Sequence, residues 1–160
     1  MKYAKKILWI AIGLLALVAS AEAAVHSVSV RPLSPEAGRA SVYEVRLTLT
    51  QTFPSAGSLT LEFPQDFDLS QAILAGSPNV KGGFKVFVDG RRVRIQRSGL
   101  GPAVPAGTEM IVRLANVRNP KSTGQFRVKL DVQAGKQILG TADGVAFSIL
   151  PKKKIQKAIR

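Results

Sequence analysis

The side chains able to do chemistry are few, and most of them are cations. His26 is the only histidine and cysteine is absent. Thiol chemistry and cysteine metal sites are therefore excluded, and no nucleophile can be matched with a base. Near the expected start of the exported chain, His26 reads as decoration on a first strand. Glu62, Asp66 and Asp68 cluster around Phe63-Pro64 and offer hard oxygen ligands of the kind calcium takes, but they lack the spacing of a calcium loop and read as turn residues. Gly99, Gly101 and Gly107 alternate with Pro102 and Pro105 and do not join a strand to a helix, so they form a stiff loop and no phosphate cradle. No catalytic, cofactor-binding or metal-binding residue is expected.

The cations do form a pattern. Lys85, Arg92 and Arg94 surround the dipeptide Asp89-Gly90 together with Phe87. A two-residue hairpin turn at Asp89-Gly90, where both residues tolerate positive φ, predicts Val88 opposite Arg91, Phe87 opposite Arg92, Val86 opposite Val93, Lys85 opposite Arg94 and Phe84 opposite Ile95. The outer face then carries Lys85, Phe87, Arg92 and Arg94, an aromatic ring among three cations that can receive an arginine or stack on a ligand. The same residues would also serve a solvated edge hairpin whose charges block edge-to-edge aggregation. After Pro151 the tail supplies Lys152, Lys153, Lys154, Lys157 and Arg160, five positive charges in nine residues. Ile155 and Ile159 give it an i, i+4 apolar pair, so an anionic polymer or an anionic membrane surface is a chemically apt partner. A tail that only solubilises is the alternative. The candidate anion-binding set is thus Lys85, Phe87, Arg92, Arg94, Lys152, Lys153, Lys154 and Lys157.

Such a set needs strands to hold it, and the period of two runs through the chain. Residues 109–132 hold two alternating runs, with Met110, Val112 and Leu114 on the apolar side of the first and Phe126, Val128, Leu130 and Val132 on that of the second. Asn119-Pro120 stops the first run, and Gly124 lets the chain turn into the next. In residues 41–50, Tyr43, Val45, Leu47 and Leu49 are expected inward and Glu44, Arg46, Thr48 and Thr50 in water. Further strands are expected over 25–31, 58–63, 84–88, 92–97 and 144–149, about eight in all. Short strands with one wet face, separated by Pro/Gly/Ser turns, predict an all-β domain of two antiparallel sheets packed face to face, with a closed barrel as the alternative. Phe84, Phe126, Val128, Leu130 and Phe147 are expected in its core.

Lys2, Lys5 and Lys6 precede an uncharged apolar run from Ile7 to Ala21, and Ala21-Glu22-Ala23 offers the small residues of a secretory cleavage site. Residues 1–23 are expected to be a signal peptide, with Ala19-Ser20-Ala21 as an equivalent site two residues earlier. The run falls short of the roughly 20 residues of a spanning helix. Residues 24–150 then form one domain, with 151–160 as a basic tail. Removing the leader leaves 20 basic and 9 acidic residues, a net charge of +11. With no disulfides available to an exported domain, stability must come from packing and hydrogen bonds.

The segments Leu59-x-Leu61-x-Phe63-Pro64-x-x-Phe67, Val104-x-Ala106-Gly107-Thr108 and Val117-x-Asn119-Pro120-x-x-x-Gly124-x-Phe126-x-Val128 resemble an immunoglobulin-like β-sandwich module of bacterial and archaeal secreted and surface proteins. The resemblance covers nearly all of the exported chain and implies a non-catalytic structural, adhesive or protein- or glycan-binding role in the cell envelope, periplasmic or extracellular. An envelope protein or glycan is the partner it implies. Two alternatives remain open from the residues: an electrostatic binder of anionic lipid head groups, acidic glycan or extracellular nucleic acid, and a periplasmic chaperone for surface subunits that uses an exposed strand edge. Export sets intracellular nucleic acid aside.

Overall fold

The computed structural model describes residues 25–153, so the expected leader 1–23 and the tail residues Lys154, Lys157 and Arg160 lie outside the described residues. Nine strands occur among the described residues: β1 (Val25–Pro32), β2 (Ala40–Leu49), β3 (Ser58–Glu62), β4 (Leu74–Gly76), β5 (Phe84–Asp89), β6 (Arg92–Arg97), β7 (Glu109–Arg118), β8 (Gly124–Ala134) and β9 (Gln137–Ile149). They form a four-stranded sheet in the order β1-β2-β7-β4 and a five-stranded sheet in the order β5-β6-β3-β8-β9. Every pairing between named strands is antiparallel. The domain is therefore an immunoglobulin-like two-sheet antiparallel sandwich, with β1 set against β9 and β4 against β5 at its flanks.

Alternation explains the core. Tyr43, Val45 and Leu47 of β2 and Val112 and Leu114 of β7 meet Leu59 and Leu61 of β3, Val93 and Ile95 of β6 and Leu130 and Val132 of β8, all of them buried. At one end of the sandwich Tyr43, Phe63, Phe67, Phe126 and Phe147 make an edge-on aromatic cluster, with Tyr43 5.4 Å from Phe63 and 5.5 Å from Phe147 between centroids. Of the five expected core residues, Val128, Leu130 and Phe147 are buried. Phe84 and Phe126 are only half-buried and pack against the margin of the core, because β5 is an edge strand and Phe126 lies near the start of β8.

Two strands are longer than their alternation suggests, for the same reason. Between the pairs Ser41↔Val117 and Tyr43↔Leu114 the strand β7 has one residue more than β2, and Asn116 takes φ 63° there. This β-bulge restores the inward side to Val117. In β9 one extra residue falls at Asp143-Gly144, between the pairs Val128↔Val145 and Leu130↔Ala142, and a second at Leu139, between Val132↔Gly140 and Gln133↔Ile138, with Gly144 at φ 69°. The strand therefore begins at Gln137 and not at Gly144.

Residues 119–123 carry the chain from one sheet to the other, since β7 and β8 belong to different sheets. Asn119 does more than end a strand. It is buried, accepts the Tyr43 hydroxyl at 2.6 Å on Oδ1 and donates from Nδ2 to the carbonyls of Ser34 and Glu36 at 2.8 and 2.9 Å. A buried amide so fully partnered ties the corner to β2 and to the segment before it. Burial raises the pKa of Tyr43, which stays the neutral donor that this corner requires.

The opposite end is tied by Arg97. This residue closes β6 on its inward side and is 2% exposed. Its Nη1 donates to the carbonyls of Phe53 and Pro54 at 3.3 and 2.8 Å, and its Nη2 to those of Lys81 and Pro102 at 3.1 and 2.7 Å. One guanidinium thus joins three loops.

Candidate functional site

Cationic side chains gather on three outward surfaces among the described residues. The first is the β5–β6 hairpin, whose register differs from the expectation. The pairs are Asp89↔Arg92, Val88↔Val93, Phe87↔Arg94, Val86↔Ile95, Lys85↔Gln96 and Phe84↔Arg97, so Gly90 and Arg91 form the turn and Asp89 is its flank. Gly90 has φ 56° while Asp89 does not enter the positive-φ region. A turn with glycine first needs only that one residue there, whereas the Asp89-Gly90 turn needed two.

Each residue's partner has moved by two, which preserves the side of the sheet it faces. Lys85, Phe87, Arg92 and Arg94 therefore still share the outer face, with different neighbours. Arg94 lies over the Phe87 ring, 4.6 Å from its centroid. Arg92 donates from Nε to Glu62 Oε2 at 3.0 Å, and Arg91 reaches Glu62 Oε1 at 3.3 Å. Only Lys85 of the four has neither an ion pair nor a ring contact among the described residues. The hairpin is a partly neutralised surface.

The second surface is the end of the sandwich from which the tail leaves. Leu150 is held through backbone bonds, its N–H donating to Pro35 O at 2.8 Å and its carbonyl accepting from Ala37 N at 2.9 Å. That anchorage delivers exposed Lys152 and Lys153 beside Gly38. Two adjoining clefts of about 510 Å³ each open around Gly38, and their walls include Arg39, Arg118, Lys121, Lys152 and Lys153 against the carboxylates Glu36, Asp66 and Asp68. Arg39 pairs with Glu36 at 3.5 Å and Arg118 with Asp68 at 3.9 Å. Asp68 also accepts from Ser70 N at 3.0 Å, while Glu62 ends β3 and pairs with Arg91 and Arg92 of the hairpin. The three carboxylates weighed for calcium do not converge, and among the described residues no group of three acidic or histidine side chains does. His26 is exposed on β1.

The third surface was not foreseen. Glu44, expected in water, is 1% exposed although it points away from the core. On the outer face of the four-stranded sheet it lies between Arg31 of β1 and Arg113 of β7, its direct cross-strand partners, with Arg46 two residues along β2. Arg31 donates to Oε1 from Nε at 3.2 Å and from Nη2 at 2.8 Å. Arg46 donates from Nε to the same oxygen at 2.8 Å. Arg113 places Nε and Nη2 each 2.9 Å from Oε2. The carboxylate is covered by the guanidiniums themselves, whose side chains remain 59%, 38% and 45% exposed for Arg31, Arg46 and Arg113.

Hydrogen bonds from Arg31, then from Arg46 and Arg113, hold the Glu44 carboxyl at a pKa of about 2 against the opposing effect of burial. Because the folded pKa lies below the unfolded one, the stability this clamp contributes is complete above about pH 5 and is lost as the pH falls toward 2. Between pH 6 and pH 3 the wild type should therefore lose more thermal stability than Glu44→Gln. Equal losses in the two proteins would show that the clamp contributes nothing.

No family model and no curated protein matches the chain. Among solved structures, similar ones include an uncharacterized protein from Nocardia farcinica with an immunoglobulin-like fold, at 15% identity and TM-score 0.44 over 76% of this chain and 81% of that one. A cohesin module from a Clostridium perfringens family 33 glycoside hydrolase is similar at 17% identity and TM-score 0.48, covering 79% and 93%. BslA, a bacterial hydrophobin, is similar at 15% identity and TM-score 0.45, covering 79% and 97%. These likenesses concern the fold alone.

Proposed function

We propose that the chain is an exported, non-catalytic β-sandwich module of the cell envelope that holds an acidic partner, protein or glycan, against its cationic surface. In this reading residues 1–23 direct export, 24–150 form the module and 151–160 extend its binding surface. The observation that carries it is the basic end: Lys152 and Lys153 are delivered beside Arg39, Arg118 and Lys121 around open clefts, and the sequence continues from there with Lys154, Lys157 and Arg160. The buried polar groups Asn119 and Arg97 are consumed in holding loops together, which leaves the surface cations for a ligand. The periplasmic chaperone reading has one observation in its favour: the edge strand β5 exposes Phe87 and Val88.

Deleting residues 151–160 tests the proposal. Near an anionic surface each basic side chain is worth about 1 kcal/mol, so four lysines supply about 4 kcal/mol, roughly a thousandfold in affinity at low salt. Binding to anionic vesicles or acidic glycan should fall steeply at low salt and little at high salt. Thermal stability should stay nearly constant, since the last backbone anchor among the described residues is Leu150. Undiminished low-salt binding would remove the tail from the binding surface.

A further inference from the structure

The Glu44 cluster contains more positive charge than its own stability needs. Three guanidiniums converge on one carboxylate, and even with Glu109, whose Oε1 lies 3.5 Å from Arg46 Nη1, the cations exceed the acids by one. Geometry matters more than the count. Arg31 and Arg113 both engage Glu44 through the Nε and Nη2 edge, so the second edge of each planar fork, Nη1 with the outer Nη2 hydrogen, is left for another acceptor. Ordinarily a surface arginine must lose side-chain freedom when it binds. Here Glu44 has already fixed all three, which lowers the cost of ordering them on a ligand.

The surroundings leave the forks open. Arg113 has Gly76 of β4 as its other cross-strand partner, and the space where a Cβ would stand on Gly76 is empty. Arg46 has Ser29 beside it on β1. Arg31 and Arg113 lie on the two strands flanking β2, so their Cα atoms are separated by about 10 Å, twice the strand spacing. Their guanidiniums converge on opposite oxygens of the one carboxylate, so their free edges lie on either side of Glu44, and a polymer laid across the strands could present one acidic group to each. A protein partner would look for a desolvated apolar centre with charges at its rim. This face has the charges at its centre, with Ile111 opposite Arg46 and Leu74 further along β4, opposite Ala115.

We propose that the outer face of the four-stranded sheet binds an acidic polysaccharide, with Arg31, Arg46 and Arg113 taking its carboxylate or sulfate groups and Glu44 acting as the positioning residue. The inference rests on the reading of the chain as a binder of acidic envelope material, but it concerns a different surface from the tail.

The test uses the exported protein lacking residues 151–160, with heparin as the sulfated probe, polygalacturonate as the carboxylated one and dextran as the neutral control. Arg31→Lys combined with Arg113→Lys keeps every charge and removes both forks, and it should weaken binding about tenfold or more. Glu44→Gln adds one positive charge and should nevertheless weaken binding, because the arginines are no longer held. If the lysine variant binds as well as its parent and Glu44→Gln binds better, net charge alone is at work and the site is overturned. Should Glu44→Gln fail to fold, the lysine pair, checked by circular dichroism, decides alone. Binding by the full-length exported protein but not by the tail-deleted form would refute the clamp and spare the tail. Binding of an acidic protein or anionic vesicles in place of either polysaccharide would also refute it.

Discussion

Replacing Arg97 by methionine should destabilise the domain by about 3 to 5 kcal/mol, the range for breaking a buried charged network. Methionine fills much of the same space, so the loss would not come from a cavity. It would come from the carbonyls of Phe53, Pro54, Lys81 and Pro102, which lose a common donor at about 1 to 3 kcal/mol for each that stays dry. Among the described residues no carboxylate pairs with the guanidinium, and burial lowers its pKa, yet the converging carbonyl dipoles hold it there. Neighbouring glycines show how closely the loops cross: a Cβ on Gly82, at φ 100°, would strike the carbonyl oxygen of Leu100. A urea titration of the variant measures the change. A loss under about 1 kcal/mol would mean that water replaces the guanidinium without penalty.

Phe63→Ala should cost about 3 to 5 kcal/mol, and Phe126→Ala distinctly less. Both rings belong to the aromatic cluster, but Phe63 is 1% exposed and touches Tyr43 and Phe67 with centroids 5.4 Å away in each case. Phe126 is half-buried at the margin, in contact with Phe67 and Phe147. Removing Phe63 empties a space walled on both sides by the sheets, whereas the site of Phe126 can admit water. Equal costs in paired urea titrations would contradict this placing of the core.

The alternation that located β2, β3, β6 and the apolar side of β7 and β8 is a local property, and local patterns survive in a sequence. What was not legible has particular causes. Bulges at Asn116 and Gly144 break the period of two, so β7 and β9 looked shorter than they are. With only Leu74–Gly76 paired, β4 offers too few residues to show any period. Asp89-Gly90 predicts the hairpin turn one residue early, because it satisfies a rule for two positive-φ residues where the chain uses Gly90 alone. Glu44 has the parity of a wet residue, and only the pairing of β2 with β1 on one side and with the distant β7 on the other brings Arg31 and Arg113 to it across 13 and 69 positions. Lys152 and Lys153 were visible as charge. Their company of Arg39, Arg118 and Lys121 depends on the bridges Glu36↔Leu150 and Asp68↔Arg118, which no local signal announces.

Both proposed surfaces draw on one physical property, a cationic exterior fixed on a rigid antiparallel frame. Apart from the Glu44 clamp, each half-exposed ion pair on that exterior contributes little to stability, since solvent screens it. Its cations remain available to a partner that brings many acidic groups at once. Protein interfaces driven by apolar burial respond weakly to ionic strength, and charge-driven ones respond strongly. The most direct measurement is therefore retention of residues 24–160, the form the proposed export would leave, on an envelope fraction or on acidic polysaccharide, across a salt titration. Tight retention at low salt that collapses as salt rises through the physiological range is the result this account expects. Retention that is unchanged from low salt to high, or absent at low salt, would contradict it.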